Sequence, residues 1–203
     1  KTYNGATQEF EIDAPANTSI VEANSTVKAT NAGTYEVEFK LDDPDNYTWT
    51  DGTTENKVVT WVINKYNLSN ATIAEIADQT FTGNEIEPTP VVTVPLPEGN
   101  TTDVTSEVEY DYANNINAGT ATVIVTAKEN STNYTGSTSA EFTINEATVE
   151  IPSKPADKTY NGSEQECGIK TPANVSVVES SSIVKATNAG TYEVEFKLDD
   201  PDN

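Results

Sequence analysis

The sequence contains no histidine, no arginine and no methionine, and its only cysteine is Cys167. Without histidine, the chain has no imidazole to act as a general base near neutral pH. A single cysteine allows neither an internal disulfide nor a Cys/His zinc site. Eleven lysines stand against 33 aspartates and glutamates, and a formal net charge of −22 excludes a nucleic-acid-binding protein. We therefore expect a protein that is not an enzyme and requires no cofactor.

Long hydrophobic segments are also absent. No run approaches the roughly eighteen apolar residues of a membrane-spanning helix, and Lys1-Thr2-Tyr3-Asn4-Gly5 lacks the pattern of a signal peptide. Only 35% of the residues are apolar, but valine, isoleucine, threonine, tyrosine and phenylalanine recur in short alternating runs. This pattern is typical of small β domains. We expect no insertion into a membrane.

The strongest signal is an internal repeat. Residues 1–46 recur as residues 158–203 without a gap, with 35 of 46 positions identical. The last twenty positions of the two copies, 27–46 and 184–203, are identical throughout. A diverged relative lies between them and keeps the landmarks Asn-Ala-Gly-Thr and Asn-Tyr.

These repeats predict three modules in the order A–B–A′: module A at residues 1–64, module B at 65–145 and module A′ at 146–203. A complete module would have about eighty residues, which is enough for one small core. Module A lacks a counterpart of the start of A′, and A′ lacks a counterpart of the end of A. We expect a longer array in the parent protein, and an incomplete copy that frays or borrows a strand.

The alternation of apolar and polar residues predicts the strands. Tyr35, Val37, Phe39 and Leu41 share one face of a predicted strand, and the charged residues between them share the other. The same pattern places further residues inward: Val59, Trp61, Ile63, Val108, Tyr110, Tyr112, Ala121, Val123, Val125, Ala140, Phe142 and Ile144. Short strands separated by turns indicate tandem immunoglobulin-like β-sandwich modules in an all-β fold, with β-grasp-like modules as the alternative.

Four local features complete the prediction. Residues 70–77 look helical but align with a segment that contains Pro152, so we interpret them as the first strand of module B. The Asn-Ala-Gly motifs that end at Gly33, Gly119 and Gly190 predict turns with a positive φ at glycine. Tyr47 and Tyr134 each follow an asparagine, and we expect their rings to cover one end of a core. Cys167 replaces Phe10 and should lie inward as a small apolar side chain.

These motifs carry a resemblance to a known family. Module B contains Thr80-Phe81-Thr82-Gly83, Ala118-Gly119-Thr120 and Asn133-Tyr134-Thr135-Gly136; module A contains Thr2-Tyr3-Asn4-Gly5, Gly33-Thr34-Tyr35 and Asn46-Tyr47-Thr48-Trp49. Together they resemble repeats of large surface proteins of Gram-positive gut bacteria, including the MBG/YDG-type modules. The resemblance implies extracellular, immunoglobulin-like, non-catalytic repeats of adhesins or secreted enzymes, and supplies no ligand site.

Two copies of one acidic loop form the candidate metal site. Carboxylate and amide oxygens are the ligands that calcium prefers, although the loop lacks the residue order of an EF-hand. The alternative is an ordinary acidic turn. The candidate ligands are Asp42, Asp43, Asp45 and Asn46 in module A, and Asp199, Asp200 and Asp202 in module A′.

Aromatic residues near the end of module A suggest a second kind of site, because flat rings stack on sugars. Trp61 alternates with core positions, so Trp49, beside Asp51-Gly52, is the candidate for an exposed ligand contact.

We expect the chain to be a stalk or spacer segment of a bacterial cell-surface protein or adhesin, in contact with neighbouring repeats of the same protein. The alternative is an adhesive module that binds a carbohydrate or a host protein, with calcium as the candidate ion.

Overall fold

The computed structural model describes residues 1–203, apart from the side chain of Glu98. The described chain is built from β-strands and short 3₁₀ turns, which confirms the predicted all-β class. It divides into two compact units. The first unit comprises Lys1–Ile76, Glu87–Ala113 and Thr122–Glu141. The second unit comprises Ala77–Ile86, Asn114–Ala121 and Phe142–Asn203. The module boundaries at residues 64/65 and 145/146 stay a prediction.

The strands follow the chain in this order. Residues 1–64 contain β1 Gln8–Glu9, β2 Thr18–Ile20, β3 Lys28–Ala29, β4 Gly33–Leu41 and β5 Lys57–Ile63. Residues 65–145 contain β6 Tyr66–Asn67, β7 Thr72–Ile73, β8 Gln79–Thr80, β9 Val92–Pro95, β10 Thr101–Asp103, β11 Val108–Ala113, β12 Gly119–Ala127, β13 Tyr134–Thr135 and β14 Ser137–Asn145. Residues 146–203 contain β15 Gln165–Glu166, β16 Val175–Val177, β17 Lys185–Ala186 and β18 Phe196–Leu198. The 3₁₀ turns are Glu22–Asn24, Leu68–Asn70, Pro97–Gly99 and Thr105–Glu107.

In the first unit, the core of module A is built around β4. This strand pairs antiparallel with β2 on one side and with β5 on the other, from Gly33 opposite Ile63 to Phe39 opposite Lys57. The short strands β1 and β3 pair with each other. The buried cluster consists of Val37, Phe39, Trp61 and Ile63. The Trp61 indole N–H donates to the carbonyl of Thr26 at 2.7 Å, so the buried ring leaves no unpaired donor.

The same unit holds the core of module B. Strands β7, β9 and β10 form one sheet, and β11 pairs antiparallel with β12 in another. The buried residues between them are Leu68, Val92, Val94, Val104, Val108, Val123, Val125 and Tyr134. The hydroxyls of Tyr110 and Tyr112 donate to the carbonyls of Pro90 at 2.7 Å and Pro88 at 2.8 Å. Proline cannot donate a backbone hydrogen bond, but its carbonyl still accepts one, so β11 anchors the proline-rich segment.

The second unit contains shorter pairings. Strand β8 pairs in parallel with the end of β14, with Gln79 opposite Ile144. In module A′, β15 pairs with β17, and β16 pairs with β18. Strand β18 has three residues, whereas the identical sequence in module A forms the nine-residue β4. Module A′ therefore forms only part of the sheet that module A completes.

The predicted inward faces are largely confirmed. Val37, Phe39 and Leu41 are buried, as are the predicted valines of β12. Val59 differs because it is 39% exposed. It lies on the edge strand of the sheet, and the described bonds on the outer side of β5, from Lys1 to Val62 and between Thr2 and Asn64, begin only beyond it. Residues 70–77 contain only the two-residue strand β7, so the prediction of a strand over the whole segment is wrong.

The predicted turn glycines also differ from one another. Gly119 has a positive φ of 129°, but Gly33 and Gly190 do not fall in that region. At Gly33 the reason for glycine is close approach, since a Cβ there would lie 3.3 Å from the hydroxyl oxygen of Tyr35. That hydroxyl donates to the carbonyl of Asn31 at 2.7 Å and so fixes the turn.

Candidate functional site

In the first unit, modules A and B meet through a turn and a loop. The backbone N–H of Ala32, in the turn Asn31-Ala32-Gly33, donates to Oδ1 of Asn133 at 2.8 Å. Nδ2 of Asn133 donates to Oδ1 of Asn31 at 3.2 Å. One asparagine amide thus satisfies a donor and an acceptor of the turn. We call the Asn-Ala-Gly turn the docking turn, and the asparagine that contacts it the docking asparagine.

Aromatic rings pack beside this contact. Tyr134 follows the docking asparagine, and its ring meets the ring of Tyr3 edge to face, with centroids 5.5 Å apart. Tyr66 packs on Tyr134 at 6.5 Å. Tyr134 is only 6% exposed, which confirms that its ring covers a core. Burial raises the pKa of the Tyr134 hydroxyl well above its usual range, and the neighbouring Tyr3 adds to the effect.

The loop that carries the docking asparagine is held by its own module. The backbone carbonyl of Asn133 accepts from the N–H of Tyr66 at 2.8 Å. The hydroxyl of the buried Ser131 donates to Glu107 at 2.8 Å, and the ammonium of Lys65 donates to the Ser131 carbonyl at 2.6 Å. These bonds leave the side-chain amide of Asn133 directed at the docking turn.

The second unit contains the corresponding backbone contact between modules B and A′, although Nδ2 of Asn203 donates to Asp200 instead of to the turn. The backbone N–H of Ala118, in the turn Asn117-Ala118-Gly119, donates to Oδ1 of Asn203 at 2.7 Å. The backbone carbonyl of Asn203 accepts from Ala147 at 2.8 Å, as that of Asn133 accepts from Tyr66. Consecutive modules are therefore joined twice by equivalent residues.

Local sequence patterns did not predict these contacts. They assigned Asn-Ala-Gly and Asn-Tyr to turns within a module, because both motifs suit turns. One signal for the contacts was available in the sequence, because both motifs recur at the same place in successive modules.

The candidate calcium loop directs its oxygens to different partners. Asp42 accepts from the hydroxyl of Ser19 at 2.7 Å, and Asp43 accepts from Nδ2 of Asn46 at 2.8 Å. Asp45 is exposed. In module A′, Asp200 accepts from Asn203 at 3.0 Å, while Asp199 and Asp202 are exposed. Within the described residues, no group of three or more acidic, histidine or cysteine side chains is placed to hold a metal ion.

Trp49 is half-buried against the core of module A, so the expectation of an exposed ring is wrong. Its indole N–H donates to the carbonyl of Glu55 at 2.7 Å, and its backbone N–H donates to Thr53 at 2.8 Å. Asp51 accepts from the Lys57 ammonium at 2.7 Å. The hydrogen bond from Lys57, together with those from Thr53, lowers the pKa of the Asp51 carboxyl.

Tyr47 also differs from its prediction, because it is 45% exposed and covers no core. Its counterpart Tyr134 is buried by Tyr66 and by Tyr3 of the preceding module. The burial of Tyr134 therefore comes from these two rings.

A groove of about 810 Å³ opens on module A′. Its apolar lining includes Tyr160, Ile183, Tyr192 and Phe196. In module A, the counterparts of Tyr192 and Phe196 are Tyr35 and Phe39, which pack against the cluster containing Trp61. The groove therefore corresponds to the core side of module A, where Trp61 of β5 packs on Tyr35 and shares a buried cluster with Phe39.

These features define a class: all-β modules repeated in tandem, joined by equivalent contacts at successive junctions. The model of the MBG domain family matches residues 69–148 and 152–203, which is more than half of the chain. The chain belongs to the MBG domain family, and it is a repeat segment of the surface-protein type. No curated protein and no solved structure matches it. The described residues form no helix long and apolar enough to cross a membrane.

Proposed function

We propose that this chain is a non-catalytic spacer of an extracellular surface protein, in which serial modules hold a distal adhesive or catalytic domain away from a Gram-positive cell wall. The observation that carries the proposal is the repeated junction. Ala32 binds Asn133, and Ala118 binds Asn203, at 2.8 and 2.7 Å. A spacer needs such contacts, because each docked junction restricts the bending of one module against the next.

Linkers and charge support the same function. Pro152 and Pro155 stiffen the first residues of module A′, which follow module B. The charged side chains of β4 alternate with its buried residues, and Glu36 and Lys40 are exposed. With a net charge of −22, the surface favours solubility and mutual repulsion of parallel copies.

Small-angle scattering tests the spacer function. A compact 203-residue domain has a radius of gyration of about 17 Å. A spacer should give a clearly larger value, and Asn133→Ala should broaden the distance distribution by loosening one junction. A value near 17 Å for the unmodified chain would contradict the proposal.

Ligand binding is the second candidate function, and the loop around Trp49 favours it. Hydrogen bonds from Trp49 to Thr53 and Glu55 fix this loop before any ligand arrives. A pre-ordered loop reduces the entropic cost of binding. The ring is half-buried, so a ligand would contact only its open side.

A binding screen separates the two functions. The chain would be tested on a glycan array and on immobilised collagen and fibronectin, once in EDTA and once in millimolar calcium. A saturable signal lost in Trp49→Ala or Asp43→Asn, but kept in Asn100→Ala, would establish a binding function. The absence of any signal from folded protein supports the spacer.

A further inference from the structure

Each of the three modules contains the same tight turn, built around a glycine. The turn is Asn4-Gly5-Ala6 in module A, Thr82-Gly83-Asn84 in module B and Asn161-Gly162-Ser163 in module A′. In chain order, the three glycines have φ values of 78°, 77° and 78°. Residues with a Cβ rarely adopt such a φ, so the turn requires its glycine.

The residue before the glycine closes the turn with its side chain. Oδ1 of Asn4 and Oδ1 of Asn161 each accept from the backbone N–H two residues later, at 3.0 Å. Oγ1 of Thr82 accepts the equivalent hydrogen bond at 3.2 Å. Because threonine forms the same turn, the fold does not require asparagine at this position.

An asparagine that precedes a glycine brings a nucleophile and an electrophile together. The glycine nitrogen, after losing its proton to hydroxide, attacks Cγ of the asparagine and closes a five-membered succinimide. The Cγ–Nδ2 bond breaks, and the side-chain nitrogen takes up a proton from water and leaves as ammonia. Water then opens the ring at either carbonyl and yields aspartate or isoaspartate. Asn4 and Asn161 are the asparagines of this chain that precede glycine.

The geometry of the turn favours this attack. Glycine has no Cβ, so no side chain obstructs the approach of its nitrogen to Cγ. The N–H that binds Oδ1 stabilises the negative charge that develops on this oxygen during the attack, as hydrogen-bond donors do at an oxyanion. Gly5 and Gly162 are exposed, so hydroxide and water reach both turns.

Asn67 provides a comparison within the same chain. Its Oδ1 accepts from the backbone N–H of Ser69 at 2.9 Å, and like Asn161 it is exposed. The residue that follows it is Leu68, which is fully buried. The side chain of Leu68 obstructs its own nitrogen and is held by close packing in the core, so this asparagine has the hydrogen bond without the mobile nucleophile.

We propose that Asn4 and Asn161 convert spontaneously to aspartate and isoaspartate in the folded protein, through a succinimide formed with the following glycine. Each conversion adds one negative charge to a chain whose net charge is −22. Asn4 follows Tyr3, whose ring packs on Tyr134, so its new carboxylate forms beside the contact between modules A and B. The proposal does not depend on the spacer function, because it concerns only the chemistry of the two turns.

Oxygen-18 labelling measures the conversion. The folded chain is incubated in ¹⁸O water at mildly alkaline pH, and it is then digested in ordinary water, so that conversion during digestion adds no label. Tandem mass spectrometry locates each incorporated oxygen. We expect Asn4 and Asn161 each to take up one ¹⁸O, at least about tenfold faster than Asn67. Both rates should rise with pH, because the attacking nitrogen has to lose its proton.

Asn4→Thr and Asn161→Thr are the matched variants, since threonine forms this turn in module B. Each should lose the label at its own site and keep it at the other. Chain unfolded in guanidinium chloride is the reference without the turn. The proposal is overturned if Asn4 and Asn161 take up label only in the unfolded chain, or if Asn67 takes it up equally fast in the folded chain. Circular dichroism during the incubation verifies that the protein stays folded.

Discussion

Oδ1 of Asn133 lies 2.8 Å from the backbone nitrogen of Ala32, across 101 positions of sequence. The same amide donates to Asn31, so one side chain binds both polar groups that the docking turn presents. The loop around Asn133 is held by hydrogen bonds within module B, from Tyr134 to Ser131 and from Tyr66 to the carbonyl of Asn133. This arrangement allows the contribution of a single side chain to the junction to be measured.

Asn133→Ala should weaken the junction between modules A and B. A hydrogen bond of this kind contributes about 1 kcal/mol to stability. We expect that loss in urea unfolding, and faster hydrogen exchange at the Ala32 amide. Asn46→Ala is the matched control, since Asn46 occupies the same position but only donates to Asp43. Equal effects of the two substitutions would show that the junction contributes nothing.

The stability of the first unit should fall at alkaline pH through Tyr134. The pKa of its hydroxyl is raised in the folded protein, whereas the pKa of a tyrosine in an unfolded chain is about 10. Above that pH the unfolded chain loses a proton that the folded chain keeps, so stability is complete below pH 10 and declines as the pH rises further.

Urea unfolding between pH 9 and 11 measures this effect. Tyr134→Phe should make the decline shallower, without abolishing it, because burial also raises the pKa of Tyr110 and Tyr112. Tyr47→Phe, which changes an exposed ring, is the control and should leave the profile unchanged. An unchanged slope in Tyr134→Phe would contradict the assignment.

Sequence periodicity predicted the all-β class and most inward positions, because alternation directly reports which face of a strand is buried. It did not predict the extent of each strand. Residues 27–46 and 184–203 are identical, yet β4 has nine residues and β18 has three. Strand β4 is paired on both sides, whereas β18 pairs only with β16. Strand formation here depends on partners outside the local sequence.

The junctions escaped prediction for a related reason. Nothing local to Asn31-Ala32-Gly33 specifies that the turn contacts Asn133, since the contact depends on how two modules dock. The sequence also could not predict that Tyr47 is exposed and Tyr134 buried. Both belong to the same Asn-Tyr motif, and they differ in the residues that pack against them.

Calcium should leave the melting temperature unchanged. Asp42 and Asp43 each accept one hydrogen bond, from Ser19 and Asn46, and within the described residues no third acidic side chain joins them in a group that could hold a metal ion. Calorimetry in EDTA and in millimolar calcium measures the effect. A rise in melting temperature with calcium that disappears in Asp43→Asn would instead establish the acidic loop as a site.

The groove of module A′ should bind a peptide with the sequence of β5. In module A, β5 pairs with β4 over seven positions and places Trp61 in the core. Residues 190–198 of module A′ are identical to β4, and Tyr192 is 41% exposed. The given sequence contains one copy of Lys57–Ile63. A peptide that spans residues 55–65 therefore has both a pairing edge and an apolar face available.

Fluorescence anisotropy of a labelled 55–65 peptide measures this binding. Its Trp61→Ala form is the control and should bind at least about tenfold more weakly, because the indole is the largest apolar group that the strand buries. Val59→Ala in the peptide should have little effect, since Val59 is 39% exposed in module A. If the two substituted peptides bind alike, the groove does not recognise β5 by its core face, and the shortness of β18 has another cause.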